Sequence, residues 1–395
     1  MMTDDATRAL RGRRAVAAMF LVNGFLIGSW APQIPVTLAR LEITEFTLGL
    51  LILTFGIGAL VAMPTCGYLI GRFGSRWTVR IFGVISCFGL LAVALSPGIV
   101  TAGITLFLFG GFIGGMDVAM NANAVEVEKQ LRRAIMSSSH GFWSVGGFIG
   151  GGAGGALIEA QGYLFHAGVV TAAALLVTLA GLRFLVTEPR PEAHEVRRFA
   201  LPRNPAVYLV GLIALFSMIP EGAVLDWAAL YLRQERGADL ATAGFGFAAF
   251  SGAMALMRFV GDRVRNRFGA VTTLRVSSLI AAAGMFVAGF APEPWLAIAA
   301  FAFAGLGIAN MVPIAFSAAG NQPGTSSGAS LSTVTLMGYS GILVAPSAIG
   351  YVGEHVGFAP VYVAVSVLLI VVCLMAGLAR SAEFTHHRAP AQPSA

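Results

Sequence analysis

The chain has 395 residues, 57% of them hydrophobic and 11% charged, and a mean hydropathy of +0.80. Soluble domains carry about 25% charged residues, so this chain has too little polar surface to cover a globule in water. Its 49 glycines follow no triplet period and apolar residues abound, which excludes collagen and disorder. Cys66, Cys87 and Cys373 all lie in apolar runs, excluding a disulfide framework and any CxxC-type metal site. The net charge of +6 comes from arginines in short clusters between apolar segments, a pattern of membrane topology and not of a nucleic-acid surface.

A spanning helix needs roughly 20 mostly apolar residues, and twelve segments qualify. The first, Ala15 to Ala39, follows a basic start (Arg8, Arg11, Arg13, Arg14). It is too long for a signal peptide, and Asn23, Trp30, Pro32 and Pro35 fit a short cleavable core poorly. The others in the first half are Phe46 to Ile70, Val79 to Leu95, Ile99 to Asn123, Ser137 to Ile158 and Tyr163 to Val186. In the second half they are Ala206 to Leu232, Leu240 to Gly261, Val271 to Phe290, Trp295 to Ala318, Ser327 to Tyr351 and Phe358 to Ala379. The expected class is an all-α integral membrane protein. A six-helix bundle over residues 1–187 is followed by a proline-rich, charged cytoplasmic linker at 188–205. A second bundle occupies 206–380, and a disordered Pro/Ala tail occupies 381–395, its His386-His387 pair too short for a metal site. With both termini cytoplasmic, 22 of the 25 Lys and Arg residues face inward, leaving Arg40, Arg233 and Arg236 outside. A bacterial inner membrane is the expected location. Glu126, Glu128, Lys129, Arg132 and Arg133 read as a solvated inner loop.

The halves are copies. A shift of 195 residues lays Arg72-Phe73-Gly74 on Arg267-Phe268-Gly269, Gly110 on Gly305, and Met116 on Met311. It also lays Gly155, Glu159, Gly162 and Tyr163 on Gly350, Glu354, Gly357 and Phe358. A shift of 197 matches Trp30-Ala31 to Trp227-Ala228. Two six-span halves in parallel register indicate a pseudo-twofold along the membrane normal.

These features resemble the major facilitator superfamily over essentially the whole chain. The family's acidic-arginine signature after span two appears as Gly67-Tyr68-Leu69-Ile70-Gly71-Arg72-Phe73-Gly74-Ser75-Arg76, with Gly71 where the acid usually stands. Its counterpart, Gly261-Asp262-Arg263 followed by Arg267, keeps the acid. The resemblance implies an inner gate built from Arg72, Arg258, Asp262 and Arg267, with Asp262 paired to Arg258 one helical turn away. Glu221-Gly222, Asp226-Trp227 and Tyr231-Leu232 in span seven, with Gly110, Gly114, Asp117 and Asn121 in span four, resemble the bacterial fucose-permease branch of proton-linked sugar symporters.

An ionisable group at mid-depth in a bilayer is costly and marks function by default. Asp117 shares one helical stripe with Gly110, Gly114 and Asn121. It reads as a proton relay, against the plainer reading of a helix-packing hydrogen bond. Glu221 follows Pro220 and reads as protonatable or substrate-binding. Asp226 lies about 140° around the same helix and either shares that role or pairs with Arg233 or Arg236. His140 either shares a proton with Asp117 or is a wetted helix-end residue. Trp30 and Trp227 either close over a ligand or belong to an interfacial belt. Asn23, Gln33, Asn121, Trp143, Asn310 and Tyr339 supply further solute-binding groups. Gly146, Gly150 and Gly154, and beside them Gly147, Gly151 and Gly155, form two ridges that admit close neighbours.

No nucleophile elbow, phosphate loop or metalloprotease motif occurs, so neither an enzyme nor a cofactor is expected. Uphill transport must then draw on an ion gradient. The expected partners are a small polar solute, protons and the lipid bilayer, with the chain a monomer. Proton-exchanging efflux of amphipathic compounds, or a membrane sensor that moves nothing, are the alternatives. The glycine-rich fifth span lacks the GP pair of the superfamily's drug antiporters, which counts against efflux.

Overall fold

The computed structural model describes residues 4–131, 135–187, 202–322 and 327–383, with backbone alone at 4–7, 137, 262, 327–329, 331 and 332. Most of the predicted linker and tail, with Arg132, Arg133 and the His386-His387 pair, lies outside the described residues. Helix fills all twelve predicted segments. The first half comprises α1 (Asp4–Trp30), α2 (Gln33–Leu41), α3 (Glu45–Phe73), α4 (Ser75–Ser86), α5 (Gly89–Ala94), α6 (Ile99–Leu131), α7 (Met136–Gln161) and α8 (Tyr163–Leu182). The second comprises α9 (Pro205–Arg236), α10 (Leu240–Phe268), α11 (Ala270–Phe290), α12 (Pro294–Ile308), α13 (Met311–Gly320), α14 (Ser327–Val356) and α15 (Ala359–Met375), closed by a 3₁₀ turn over Ala376–Ala382. Among the described residues, ten spans are long and apolar enough to cross a membrane, with α4 and α5 taken as one and α12 and α13 as one, and eleven if α1 and α2 also count as one. Glycine adds almost nothing to hydropathy, which leaves the glycine-rich α7 outside that set although its 26 residues are long enough to span.

Three spans predicted as single helices are broken. The first bends by 42° between α1 and α2, where Pro32 and Pro35 lack the N–H groups that would continue the ladder. The third breaks at Cys87-Phe88 and the tenth at Ala309-Asn310. The expected loop at Glu126–Lys129 is instead the end of α6. Glu126 is buried and pairs with Lys129 at 3.7 Å, while Glu128 accepts hydrogen bonds from the backbone N–H of Ile135 and Met136, at 2.7 and 3.0 Å. A charged helix that outruns the bilayer looks like a loop to hydropathy alone.

The internal repeat is written into the backbone. Every described residue with positive φ has a partner 195 positions away: Glu42 with Gly237, Gly74 with Gly269, and Gly162 with Gly357. These three turns are thus cut to the same pattern in both halves. Helix packing repeats too: α1 lies on α7 as α9 lies on α14, and α3 lies on α6 as α10 lies on α12.

The halves meet along α7 and α10 and along α3 and α14. One glycine ridge of α7 seats α1: Gly146 lies against Leu21 and Phe25, Gly150 against Phe25 and Ser29, Gly154 against Pro32. The other seats α10: Gly147 against Ser251 and Phe247, Gly151 against Gly244 and Ala248, Gly155 against Leu240. On the second seam, Gly350 lies against Glu45, Gly49 against Pro346 and Gly56 against Leu343. These contacts occupy the end of the molecule opposite the chain termini, here the distal end, and reach mid-depth. Nearer the termini, Gly67 and Gly71 of α3 face open space.

Candidate functional site

Arg258 of α10 is the hub of the centre. Its guanidinium lies 3.9 Å from the Glu221 carboxylate of α9, and both side chains are mostly buried. Across the seam it donates to the Ser144 hydroxyl at 2.7 Å and to the His140 carbonyl at 3.5 Å, both on α7, and lies 5.9 Å from the centre of the Trp143 ring. One cation therefore ties a carboxylate of the second half to a helix of the first. Trp143 in turn donates its indole N–H to Asn23 Oδ1 at 2.9 Å, and Asn23 Nδ2 donates to the Ile113 carbonyl at 3.2 Å. Asn23 thus links α1 to α6 and α7 with its amide satisfied at both ends.

Tyr339 of α14 stands within electrostatic reach of both Asp117 and Glu221. Asp117, half-buried on α6, also lies near the Cys66 thiol of α3, and its own carbonyl accepts a hydrogen bond from Asn121 Nδ2 at 2.8 Å. The structure therefore gathers Asp117, Asn121, Trp143, Glu221, Arg258 and Tyr339 around one central region, with Asn23 behind Trp143. The arrangement sets two carboxyls, one cation, a phenol and an indole around that region.

Other predicted residues point elsewhere. The His140 ring packs edge-on against Phe20, centroids 5.0 Å apart, with no hydrogen bond to Asp117 among the described residues. Gln33 Nε2 contacts the Tyr163 carbonyl and His166 Nδ1, each at 2.9 Å, which ties α2 to α8 inside the first half. Trp30 is buried, and Trp227 is stacked on Phe358 with ring centroids 5.2 Å apart, so neither lies in a surface belt. Asn310 sits at the α12–α13 break against Gly261. Asp226 is buried and, among the described residues, pairs with neither Arg233 nor Arg236. Arg236 instead donates to the Tyr231 hydroxyl at 2.8 Å and to the Gly289 carbonyl at 3.3 Å.

At the terminal end, Arg72 and Arg267 each lie over the next ring in sequence, Phe73 and Phe268, at 5.3 and 5.5 Å. The Asp262 side chain lies outside the described residues, so the Arg258–Asp262 pairing does too. Arg258 also contacts Glu221 and α7. Sequence reasoning missed Ser144, which shares Arg258 with Glu221. The signal was there, since Ser144 follows Trp143 and lies one turn beyond His140. It also missed His166, a buried histidine whose Nε2 has no hydrogen-bond partner among the described residues.

Comparison with known proteins agrees with this architecture. The Major Facilitator Superfamily family model matches residues 16–225 and 210–394. An uncharacterized MFS-type transporter of Yersinia pestis is 35% identical over 357 residues, covering 90% of this chain and 93% of its own. A D-xylose–proton symporter superposes with a TM-score of 0.75 at 14% identity, covering 93% of this chain and 97% of that one. A single-residue variant of the Escherichia coli fucose–proton symporter FucP superposes with a TM-score of 0.63 at 16% identity, covering 93% and 98%. Fold, repeat and sequence agree: the chain belongs to the Major Facilitator Superfamily and is a membrane transporter.

Proposed function

We propose that the chain imports a small polar, sugar-like solute together with protons, by alternating access of the central region to the two sides of a bacterial inner membrane. The observation that carries this reading is the convergence of Asp117 from the first half with Glu221, Arg258 and Tyr339 from the second. A solute bound among them touches both halves, and a buried carboxyl there can take up and release a proton as its surroundings change. Asp117 is the proton carrier, and Glu221 with Arg258 senses the solute. Asn121, Trp143 and Tyr339 line the site. Residues 1–187 and 206–380 are the moving bundles, joined by the 188–205 linker, and the basic bias puts both termini in the cytoplasm. The distal end, where the halves are joined, is then the periplasmic side, and this conformation is closed to it. The printed descriptions of the D-xylose and fucose symporters motivate the choice of solute class and of proton coupling.

The test is uptake into proteoliposomes under an imposed pH gradient, with labelled pentoses, hexoses and deoxyhexoses. Inward accumulation is expected, and Asp117→Asn should abolish it while leaving solute exchange measurable. Loss of preloaded amphipathic dye in place of uptake would make the protein an exporter. No flux with any solute would make it a sensor. An Asp117→Asn variant that still concentrates solute with normal pH dependence would remove Asp117 from the mechanism.

A further inference from the structure

At the distal end, two carboxylates cross from one half to the other in mirrored fashion. Glu159, near the end of α7, accepts a hydrogen bond at 3.1 Å from the backbone N–H of Ala241, at the start of α10. Glu354, near the end of α14, accepts one at 3.1 Å from the backbone N–H of Phe46, at the start of α3. Donor and acceptor are each displaced by 195 residues, the register of the repeat, so the two bonds are one contact drawn twice about the pseudo-twofold. The helices they reach are otherwise capped. Thr44 takes the N–H of Thr47, and Asp239 that of Thr242, leaving in each case the second helical N–H for the other half's glutamate. An uncompensated N–H at a helix start carries partial positive charge that favours an anion.

We propose that Glu159 and Glu354 are a symmetric pair of latches that hold the distal gate shut, each completing a helix start that belongs to the opposite half. This rests on the alternating-access reading above. Both glutamates are exposed, so on opening each carboxylate and each N–H passes to water at small cost, and the latch is reversible. Phe46 adds an edge-on contact with Tyr351, centroids 5.8 Å apart, and Gln234 Nε2 donates to Glu45 at 2.8 Å across the same seam. These accompany the α3 latch only. A cap of this type is worth a shift of roughly two- to five-fold in an equilibrium, and separate sites add in free energy. Glu159→Ala or Glu354→Ala should therefore raise the ratio of distal-open to distal-closed molecules by that factor. The double variant should raise it roughly four- to twenty-five-fold.

Spin-label distance measurement between Leu50→Cys and Val352→Cys, in a chain with its three native cysteines replaced, reads that ratio across the α3–α14 seam. Glu354→Gln, which keeps an acceptor oxygen and loses the charge, should fall between the parent and Glu354→Ala. The latch is supported if the ratio rises in the order parent, single and double variant while the melting temperature holds. It is overturned if the parent samples both distances and the variants leave their ratio unchanged. If the parent shows one distance under every pH and solute condition, alternating access itself fails, and the latch falls with it.

Discussion

The two halves share a backbone plan and differ at their centres. Turn conformations, helix pairings and distal caps repeat at a spacing of 195 residues, down to which residues adopt positive φ. The polar chemistry does not repeat. In the first half, a neutral bridge runs from Trp143 through Asn23 to the Ile113 carbonyl, and the Asp117 carboxyl makes no ion pair among the described residues. In the second, Glu221 and Arg258 form an ion pair whose cation reaches back to Ser144 and His140 of the first. Duplication therefore built the scaffold, and divergence between the copies placed the charges. Substitutions at the neutral centre should act mainly on stability, and those at the charged centre mainly on transport.

The largest expected effect follows from removing Arg258. Stranding one member of a fully buried ion pair costs about 3–5 kcal/mol. Arg258 and Glu221 keep 16% and 18% of their side-chain surface exposed, so Arg258→Met should destabilise by about 2 kcal/mol and eliminate uptake. Pairing it with Glu221→Gln removes the stranded charge and should restore much of the melting temperature, with uptake still absent. Melting that does not recover in the double variant would mean that the pair is not the charged centre of the molecule.

Asn23→Ala tests the opposite half. Its loss leaves the Trp143 indole N–H without a partner, a cost of about 1–3 kcal/mol, while the Ile113 carbonyl keeps its place in the α6 hydrogen-bond ladder. Thermal unfolding should show that loss, and the surviving folded protein should still accumulate solute. If uptake vanishes while the melting temperature is unchanged, the neutral centre belongs to the solute site and the contrast between the halves collapses.

How far this contrast was legible in the sequence depends on the distance over which each contact acts. The register was legible because Gly74 and Gly269, or Gly162 and Gly357, sit in turns whose backbone demands are local. The glycine ridges of α7 were legible because helical spacing alone defines a face. The depth of Asp117 and Glu221 was legible because an acid inside an apolar run has few other readings. The partners of Arg258 were not, since they lie 37 and 114 residues away, on helices whose rotation nothing local fixes. Gln33 and Trp227 were assigned to the pocket by polarity and symmetry, but their facing is set by His166 and Phe358, contacts made only in the folded bundle. The break at Cys87-Phe88 carries no proline and left no mark on hydropathy, while at Ala309-Asn310 the mark was Pro313, which lacks the N–H that would bond the Ala309 carbonyl.

A smaller effect sharpens the backbone side of the comparison. Glu42 and Gly237 hold equivalent left-handed turns, with φ of 51° and 66°, yet only one is glycine. A side chain in that region costs roughly 1 kcal/mol relative to glycine. Glu42→Gly should raise the melting temperature by an amount worth about that much, and Gly237→Ala should lower it by a similar amount. Equal destabilisation by both would show that the Glu42 side chain makes a compensating contact and that the two turns are not equivalent.

The smallest effect distinguishes the two distal helix starts by pH. Thr44 and Asp239 are repeat-equivalent caps, accepting from Thr47 N–H at 3.2 Å and Thr242 N–H at 2.6 Å. Only the second titrates. Hydrogen bonds from the backbone and side chain of Thr242 hold the exposed Asp239 carboxyl below the ordinary carboxylate range, with a lesser contribution from Arg233. A group with a depressed folded-state value stabilises fully above its unfolded value, about 3.9 for Asp, and loses that contribution as pH falls through the lower folded value. Both helix starts also receive a glutamate from the other half, so Glu159→Gln and Glu354→Gln, which keep an acceptor and do not titrate, form the background in which the two caps are compared. Hydrogen exchange, corrected for its intrinsic pH dependence, should therefore show Thr242 losing more protection than Thr47 as pH drops below about 4. Asp239→Thr should make the two helix starts respond in parallel. Equal loss at both starts in that background would show that the Asp239 carboxylate does not govern the start of α10.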